Sequence, residues 1–364
     1  MLILNNDEIE SLVSMELALS LLEKAYRAQA EGRAAFRPRS DLYVPSPAEG
    51  GVYAFKSMEG ALADPPVVAL RLNSDVIHWE NRGGAIVKDK LPKAPGGKWV
   101  GLVLLFSTAT GEPLAIFPDG VMQRLRVAAT SALAAARMAL PDAPVLGILG
   151  SGWQAGAHVP AMCAVRKIRR VQIFSPTKAN RERFAGEMAA LTGAECVAFA
   201  TPEEALSGAQ ILVAATNAAS SVVRPEWLRP GVHLTCVKDS ELGDETIRRA
   251  GRVVIHTRKH APDNYIAGLD EKIEAHDPID YLTGKAAEAR PLKTPFWTAA
   301  PEMKDLISGK VPGRAAPDEI TCFINNIGMG LQFAALGAAA YQEARAKGVG
   351  REIPTDWFLQ SVHP

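Results

Sequence analysis

The stretch VLGILGSGWQA, residues 145–155, runs from an apolar segment through a glycine-rich turn into a helical segment. Gly150 permits the tight turn, Gly152 lets the backbone approach a pyrophosphate, and Ala155 lets the helix pack closely on the strand. A diphosphate would lie at the helix N-terminus, where free N–H groups and the helix dipole favour an anion. The alternative is an ordinary tight turn without a ligand, but the position of this turn among alternating strands and helices favours dinucleotide binding.

The alternation of strands and helices continues toward the C-terminus. Short apolar runs are separated by helical segments such as residues 181–191 and 241–250. Strands that alternate with helices predict right-handed crossovers and a parallel sheet. The predicted fold class is therefore α/β, with a Rossmann-type doubly wound parallel sheet whose strands are residues 145–149, 171–174, 197–200, 211–215, 233–237 and 253–256.

The region before this sheet has a different pattern. A helix is predicted to begin after Ser14, a residue type that favours the N-cap. Residues 37–117 contain short β-rich runs separated by turn residues, which predict a mostly antiparallel sheet, with a long loop over residues 78–98. An alanine-rich helix is predicted over residues 124–140, and a second helix over residues 320–347 is expected to return to the N-terminal region.

Length and composition indicate a globular protein of two domains. The chain has 364 residues, of which 48% are hydrophobic and 22% charged, enough for two cores. The predicted domains are residues 1–120, with 320–364 returning to them, and residues 121–319. Forty basic residues balance forty acidic ones, so no overall field favours nucleic acid or an anionic membrane. The cysteines lack CxxC spacing and the N-terminus lacks a basic leader, which predicts a cytoplasmic protein.

The end of the second strand of the parallel sheet indicates which dinucleotide is preferred. NAD-binding sites usually carry Asp or Glu there, whereas a 2′-phosphate requires basic or hydroxyl groups. Here the residues are Ser175, Thr177 and Lys178, followed closely by Arg181. The lack of a carboxylate favours NADP over NAD, although Lys178 and Arg181 also suit a solvated helix start.

Several further segments match one protein family in a fixed order. They are TGEPLA (110–115), DG (119–120), RLRVAAT (124–130), GSGWQA (150–155), ATN (215–217) and EIT (319–321). On these segments the chain resembles the ornithine cyclodeaminase/mu-crystallin family over nearly its whole length. The resemblance implies a homodimer in which one domain binds NAD(P), while a mostly antiparallel β (α+β) domain binds substrate and dimerises. It also implies hydride transfer between the nicotinamide and the α-carbon of a small amino acid or its imine.

The dinucleotide turn and the resemblance together define the candidate cofactor-binding residues. Where the family has a Ser-Gly segment next to the nicotinamide, this chain has residues 321–328. Asn326 and Gly328 are expected to keep that contact, or else to form a strand-to-helix turn that needs a small residue. The complete candidate set is Gly150, Ser151, Gly152, Trp153, Gln154, Ala155, Ser175, Thr177, Lys178, Arg181, Ala215, Thr216, Asn217, Asn326 and Gly328.

The resemblance also implies arginines that bind the substrate carboxylate, which a guanidinium grips in a planar, two-pronged way. Arg39 and Arg126 stand at matching positions. The alternative for Arg39 is a surface ion pair, and for Arg126 a structural bridge on its helix. Where the family has a lysine, this chain has Arg71, which can bind a carboxylate but hardly transfers a proton.

Two residues are candidates for catalytic proton transfer. Lys56 interrupts a run compatible with a buried strand, and if it faces the pocket it would take over the proton role. On a sheet edge it would instead point to solvent. Asp239 follows the fifth strand, where the resemblance implies an aspartate that activates water or protonates the departing amine. The family loop is longer there, and Asp239 equally suits capping of the helix that follows.

The predicted activity is that of an NAD(P)-dependent oxidoreductase acting on an amino acid or its ketimine. One alternative is ornithine cyclodeaminase, which forms proline and ammonia while NAD is recycled. Another is a non-catalytic small-ligand-binding protein of the mu-crystallin type. The arginine at position 71 and the shorter aspartate loop count against cyclodeamination. The scattered histidines show no metal-ligand spacing, so no metal site is predicted, and Cys322 is expected in the core.

Overall fold

Two β-sheets with packed helices make up the structure, a computed structural model that describes residues 1–48, 51–82, 85–218, 220–259, 261–273, 282 and 295–362. One sheet is ten-stranded and the other seven-stranded. Most neighbouring strands of the first sheet are antiparallel, as in its central β-hairpins. All the strand pairs of the second sheet are parallel. The predicted fold class is confirmed.

The N-terminal region forms most of the ten-stranded sheet. Its second helix begins as predicted after Ser14, whose side chain accepts a hydrogen bond from the Leu17 N–H. The elements of this region are β1 (Leu2–Ile3), α1 (Asn6–Leu12), α2 (Met15–Ala30), β2 (Ala34–Phe36), β3 (Ser40–Pro45), β4 (Val52–Leu62), β5 (Val67–Arg82), β6 (Ala85–Leu91), β7 (Val100–Ser107) and β8 (Pro113–Pro118).

Strands β4 and β5 carry charged and polar side chains on the buried face of the sheet. Lys56 and Met58 on β4 pair with Asn73 and Arg71 on β5, and all four side chains are buried. Successive side chains of a strand point to opposite faces, so these four share the inner face. The inner face of this sheet therefore contributes polar side chains to a buried site as well as apolar side chains to the core.

The predicted loop over residues 78–98 is wrong for residues 78–82 and 85–91, which are strands. Strand β5 continues to Arg82 and pairs antiparallel with β6, with His78 opposite Asp89. Gly83 and Gly84 lie outside the described residues. The Lys- and Gly-rich composition favours a loop, but hydrogen bonding to an existing sheet extends a strand regardless of intrinsic propensity. This extension brings Lys90 of β6 beside the inner face of β5.

The rest of the chain forms the parallel sheet, further helices, and two strands that join the ten-stranded sheet. Its elements are α3 (Gly120–Met138), β9 (Val145–Leu149), α4 (Trp153–Val165), β10 (Arg170–Phe174), α5 (Lys178–Thr192), β11 (Glu195–Ala198), α6 (Pro202–Leu206), β12 (Ile211–Ala214), β13 (His233–Cys236), α7 (Gly243–Ile247), β14 (Arg252–Ile255), β15 (Asp263–Ile266), α8 (Met303–Ile307), β16 (Thr321–Ile324), α9 (Gly330–Lys347) and β17 (Arg351–Glu352). The two strands that join the ten-stranded sheet are β15 and β17, and the order of strands across the parallel sheet is β11-β10-β9-β12-β13-β16-β14.

The C-terminal segment departs from the single helix predicted over residues 320–347. Residues Thr321–Ile324 form β16, which lies between β13 and β14, and α9 begins only at Gly330. Helix α9 then crosses β4 so closely that a Cβ on Gly60 or Gly330 would lie 2.0 or 2.1 Å from backbone atoms of the other element. Strand β15 joins the ten-stranded sheet beside β3. The chain therefore passes between the sheets repeatedly, and the domain boundaries given above stay a prediction.

The alanine-rich helix α3 packs between α2 and α4. Ala128, Ala132 and Ala135 are fully buried, and their small side chains let the helices approach one another. The helix begins at Gly120, before the predicted residue 124. Within the described ranges no helix combines the length and the apolar character that a membrane span requires.

Candidate active site

The glycine-rich turn after β9 is built by two glycines with different requirements. Gly150 has a φ of +116°, and a Cβ there would lie 2.1 Å from the Ala215 carbonyl oxygen. Gly150 is therefore required by the fold itself. Gly152 is the N-cap of α4 with extended backbone, and a Cβ there would meet no protein atom within 4 Å. The space over Gly152 is open to a ligand at the helix N-terminus.

A groove of about 790 Å³ runs over this turn and along the carboxyl ends of β9, β10 and β12. This is the edge at which open parallel sheets bind ligands. Ala155 lies buried beneath the groove, where α4 packs on the sheet. The predicted residues that line the groove are Gly150, Ser151, Gly152, Trp153, Gln154, Ser175, Thr177, Ala215, Thr216 and Asn217.

The end of β10 offers hydroxyl and amide groups to the groove. Ser151 Oγ donates to Ser175 Oγ over 2.9 Å. Thr177 is the N-cap of α5 but makes no capping bond with its side chain, and Asn180 joins it in the groove lining. No carboxylate lies in this described part of the groove wall. The hydroxyls and the N–H groups at the N-terminus of α5 can donate hydrogen bonds to an anionic group here.

Lys178 and Arg181, which were predicted to bind the cofactor, lie outside the groove lining. The Lys178 side chain is 75% exposed, and its ammonium lies 3.8 Å from Glu182. The Arg181 guanidinium donates to the carbonyl oxygens of Ser175 and Pro176, each over 3.2 Å. Arg181 therefore braces the loop after β10, and a direct cofactor contact by either residue stays a prediction.

A buried carboxylate that the sequence did not single out joins the ends of β12 and β13. Glu241 is fully buried. Its Oε1 accepts from the Thr216 hydroxyl over 2.7 Å, and its Oε2 accepts from the N–H groups of Val237 and Lys238 over 3.0 Å. Burial raises the pKa of this carboxyl. Glu241 thus fixes two strand ends beside the groove.

Asp239 begins the short 3₁₀ turn Asp239–Glu241. Lys238 lines a second cavity, which adjoins the groove, whereas Asp239 is not part of that lining. The carboxylate that binds the backbone N–H groups of this turn is that of Glu241, two residues later. A catalytic role of Asp239 stays a prediction.

The second cavity, of about 500 Å³, meets the groove at Gln154, which lines both. The Gln154 Oε1 atom is buried without a hydrogen-bond partner among the described residues. An acceptor left in this way suits a ligand donor at the junction of the two spaces. The cavity is lined by Arg39, Lys56, Met58, Arg71, Asn73, Lys90, Gln123, Arg126, Val127, Gln154, Val237, Lys238, Asn325, Asn326, Ile327 and Gly328.

Arg126 is a cation of this cavity that has no carboxylate partner in the described chain. It is buried, and its guanidinium donates to the Gln123 and Gln332 side-chain oxygens over 3.3 and 3.2 Å. No carboxylate of the described chain lies within ion-pair distance of it. Burial, together with the charge of Arg71, lowers the pKa of Arg126 to about 9. The residue is still charged at neutral pH and can bind a carboxylate.

The other two predicted arginines line the same cavity, each backed by a carboxylate. Arg71 Nε lies 2.8 Å from Asp119 Oδ2, and Arg39 forms a two-pronged pair with Asp41 at 2.8 and 3.0 Å. These buried carboxylates orient the guanidinium groups toward the cavity. The structure therefore brings Arg39, Arg71 and Arg126 together.

Lys56 faces the cavity and not the solvent. Its Nζ donates to Asp75 Oδ2 over 2.9 Å, and Lys90 Nζ lies 2.8 Å from the same oxygen. Burial raises the pKa of Asp75, but Lys56 and Lys90 outweigh it, so that the net shift is downward. Asp75 is therefore ionised and holds both ammonium groups at the cavity wall.

A buried hydrogen-bond network stands behind Arg126. Gln332 Nε2 donates to Tyr26 Oη over 3.0 Å and to Thr130 Oγ1 over 2.8 Å, and Tyr26 Oη lies 2.8 Å from His256 Nε2. The network connects α2, α3, α9 and the end of β14. None of these residues forms a recognisable motif, because they are distant in sequence and meet only in the fold.

Asn326 and Gly328 lie at the cavity rather than in the groove. The Asn326 side chain bonds the backbone of Thr257, donating over 2.8 Å. A Cβ on Gly328 would lie 2.4 Å from the Arg126 guanidinium. Gly328 therefore makes room for Arg126, and a contact of either residue with the cofactor stays a prediction.

Metal-binding side chains do not gather in the part of the chain that the structure describes: no group of three His, Cys, Asp or Glu residues could hold an ion there. Cys322 lies fully buried in the core of the parallel sheet, and burial raises its pKa to about 12. Its thiol is thus neither ionised nor accessible.

Comparison with known proteins agrees with this geometry. The sequence profile of the ornithine cyclodeaminase/mu-crystallin family matches residues 96–348. The chain belongs to the ornithine cyclodeaminase/mu-crystallin family. It is 30% identical to a Δ1-pyrroline-2-carboxylate reductase of Bacillus cereus over 258 residues, 70% of this chain and 74% of that one. The resemblance inferred from the sequence motifs is therefore confirmed.

Two further family members are similar over almost the whole chain. The alanine dehydrogenase of Archaeoglobus fulgidus is 26% identical over 97% of this chain and 98% of its own. The structure of Thermococcus litoralis Δ1-pyrroline-2-carboxylate reductase in complex with NADH and L-proline has a TM-score of 0.76 and 25% identity. It covers 97% of this chain and 100% of its own. The similarity includes both sheets.

The residues of the groove fit the dinucleotide that this family implies. The open space over Gly152 and the unpartnered Gln154 Oε1 are observations of this chain that point to a ligand. Gly150 to Gln154 and the ends of β10 and β12 would hold it.

Proposed function

We propose that this protein is an NAD(P)-dependent oxidoreductase that acts at the α-carbon of an amino acid or its ketimine. The proposal depends on one observation above all, the junction at Gln154 between the groove and a cavity lined with cations. The groove suits a dinucleotide, and the arginines suit a carboxylate. When bound, the dinucleotide supplies or accepts the hydride at the substrate α-carbon.

Arg126 and Arg71 bind the substrate α-carboxylate. Both guanidinium groups lie near the Phe333 ring, at 5.7 and 5.6 Å from its centroid. Arg71 already has Asp119 as partner, so Arg126 is the group that gains most from an added anion. Arg39, paired with Asp41, lines the same cavity.

Lys56 holds the proton that the reaction moves. Its Nζ lies at the cavity wall, where it donates to Asp75 Oδ2 over 2.9 Å, and from this position it can donate a proton to the substrate nitrogen. Asp239 is the second candidate, for the activation of water or protonation of the departing amine. It would act from the turn beside Lys238.

The Lys56 assignment is tested by Lys56→Ala, which should lower kcat by about a hundredfold or more while dinucleotide affinity is kept. Lys93→Ala, at the neighbouring surface, is the matched control and should leave kcat unchanged. Full turnover by Lys56→Ala would rule the assignment out.

NADP is the preferred dinucleotide in this proposal. The loop after β10 offers Ser175, Thr177 and Asn180 with the N-terminus of α5 and no carboxylate. A 2′-phosphate gains hydrogen bonds there, whereas NAD meets no acidic residue for its ribose. The Kd for NADPH should be about tenfold lower than for NADH, and Ser175→Asp should reverse the order. An equal affinity for both in the wild type contradicts the preference.

A homodimer completes the proposal. The outer face of the ten-stranded sheet carries half-buried apolar side chains such as Phe55, Leu70 and Leu104, on three neighbouring strands. Within the described chain the helix α9 packs on the inner face of this sheet. A second copy would bury the outer face, since apolar sheet faces of this kind rarely stay exposed. Light scattering that gives the monomer mass would contradict this.

The activity is tested with a panel of amino acids, keto acids with ammonia, and cyclic ketimines, each with NADH and NADPH. A reductase consumes reduced dinucleotide with a keto or imino acid. A cyclodeaminase would form proline and ammonia from ornithine without consuming it, and a binding protein would only gain thermal stability. The first outcome is expected, and either of the others would refute the proposal.

A further inference from the structure

The charges around the substrate cavity are unbalanced. The described lining includes six cationic side chains and no carboxylate; the cations are Arg39, Lys56, Arg71, Lys90, Arg126 and Lys238. Among the described residues, the carboxylates paired with these cations are Asp41, Asp75 and Asp119. Each of Arg39 and Arg71 has a carboxylate to itself, but Asp75 is shared between Lys56 and Lys90.

A substrate with a single carboxylate leaves much of this imbalance in place. An α-carboxylate on Arg126 would neutralise that guanidinium. Among the described residues, Lys90 shares Asp75 with Lys56 and the exposed Lys238 has no ion-pair partner, so both would still face the cavity without full charge compensation. Like charges around a partly closed cavity repel each other unless an anion enters. The positive charge that remains on the cavity lining therefore favours the binding of a second anionic group.

Lys90, one of the two surplus cations, lies away from Arg71 along the sheet. Asp75 stands four residues from Arg71 on the same face of β5, roughly 13 Å along the strand at about 3.3 Å per residue. Lys90 lies at this distant end, on β6. Lys238 follows β13 of the parallel sheet, so the two lysines reach one cavity from elements of different sheets.

We propose, on the basis of the proposed function, that the substrate is an α-amino or α-imino acid whose side chain ends in a second carboxylate. Arg126 and Arg71 bind the α-carboxylate, and Lys90 and Lys238 bind the distal one. A side chain ending in an ammonium group would meet no carboxylate in the described lining. The cavity therefore selects against diamino acids such as ornithine.

The inference is tested with amino acids of equal length that differ only in the charge of the distal group. Glutamate, norvaline and ornithine form a five-carbon set, and aspartate, 2-aminobutyrate and 2,4-diaminobutyrate a four-carbon set. In at least one set the acidic member should exceed the neutral one in kcat/KM by about tenfold, with the basic member last. A neutral or basic member that ranks first in both sets overturns the inference while leaving the oxidoreductase proposal intact.

Variants connect that preference to the two lysines. In the double variant Lys90→Gln and Lys238→Gln, the ratio of acidic to neutral kcat/KM should fall about tenfold. Lys347→Gln, an exposed lysine paired with Glu343 on α9, is the matched control and should keep the wild-type ratio. An unchanged ratio in the double variant overturns the assignment.

A binding measurement separates this inference from the proposed activity. With NADPH present, glutarate should raise the Tm of the wild type more than valerate does at equal concentration, and the double variant should lose the difference. If no amino acid is turned over but this pattern holds, the ligand class stands and the oxidoreductase proposal fails. If valerate stabilises as well as glutarate, the ligand class is wrong.

Discussion

Replacing Arg126 by methionine should make the protein more stable and nearly inactive. Burial and Arg71 lower the pKa of Arg126 from 12.5 to about 9. At about 1.4 kcal/mol per pKa unit, the charge costs the unliganded fold on the order of 5 kcal/mol. Against this stand the hydrogen bonds to Gln123 and Gln332, worth about 1 kcal/mol each. Gln332 keeps a second donor, the Met329 N–H, so its oxygen is not left unsatisfied.

The net expectation is a gain of about 1–3 kcal/mol in the free energy of unfolding, as for other buried charges replaced by apolar side chains. The same change removes the anchor of the substrate carboxylate, which should cost about 2–4 kcal/mol of transition-state binding, or roughly 30- to 1,000-fold in kcat/KM. Denaturant unfolding of the unliganded protein and steady-state kinetics measure the two effects.

A gain in the free energy of unfolding together with a loss of kcat/KM distinguishes a substrate anchor from a structural bridge. Arg137→Met is the matched control on the same helix, because Arg137 has a carboxylate partner, Glu23, at 2.8 Å. It should lower stability slightly and leave kcat/KM unchanged. If Arg126→Met destabilises the protein, Arg126 is a structural bridge. If the variant is stable and fully active, it is not the anchor.

Two further predictions concern the glycine turn and the buried histidines. Gly150→Ala should destabilise the fold by about 2 kcal/mol or more, because Gly150 has a positive φ and a Cβ there would lie 2.1 Å from the Ala215 carbonyl oxygen. Gly152→Ala should fold normally but bind NADPH at least about tenfold more weakly. Thermal melts measure the first effect and NADPH titration the second, and equal NADPH affinity of Gly152→Ala and wild type would refute the role of Gly152. Burial lowers the pKa of His158 to about 4 and those of His233 and His256 to about 3. Between about pH 6.5 and 4 the unfolded chain therefore binds protons that the native state does not. The free energy of unfolding should consequently fall as the pH falls, by about 1.4 kcal/mol per pH unit for each histidine. Urea midpoints at about pH 7.5, 6.5 and 5.5 test this, and a flat profile below about pH 6.5 would contradict it.

The sequence predicts the conformation of the glycine-rich turn well because its determinants are local. Gly150, Gly152 and Ala155 act within one strand, turn and helix, and the alternating strands and helices around them have clear patterns. Ser175 and Thr177 follow from their position after the next strand. These features do not depend on how distant parts of the chain meet.

The substrate cavity is less predictable because it depends on strand register. That Lys56 faces inward could be proposed from its apolar flanks, but its partner Asp75 follows only from the pairing of β4 with β5. Lys90 lies in a segment that the sequence predicts as a loop but that forms strand β6. Strand β16 falls within the helix predicted over residues 320–347, since its four residues are also compatible with a helix start, and only the alternative of a strand-to-helix turn at Asn326 and Gly328 points to it.

Glu241 shows a different limit of sequence analysis. Asp239 is a predicted catalytic residue because of its position after a strand, yet the carboxylate that binds the Thr216 hydroxyl and the Val237 N–H belongs to Glu241. Two acidic residues in one short turn cannot be distinguished before the turn's geometry is known. A buried glutamate so close to a predicted strand end is nevertheless a signal worth testing in related sequences.

The most direct test of the account is to follow the hydride itself. The protein is incubated with NADPH or NADH carrying deuterium at the transferable C4 position and with the panel of keto acids plus ammonia and cyclic ketimines, and the amino-acid products are examined by mass spectrometry. The account predicts a product with one deuterium on its α-carbon. A protein that binds the dinucleotide and the carboxylates but never forms a deuterated amino acid would contradict it.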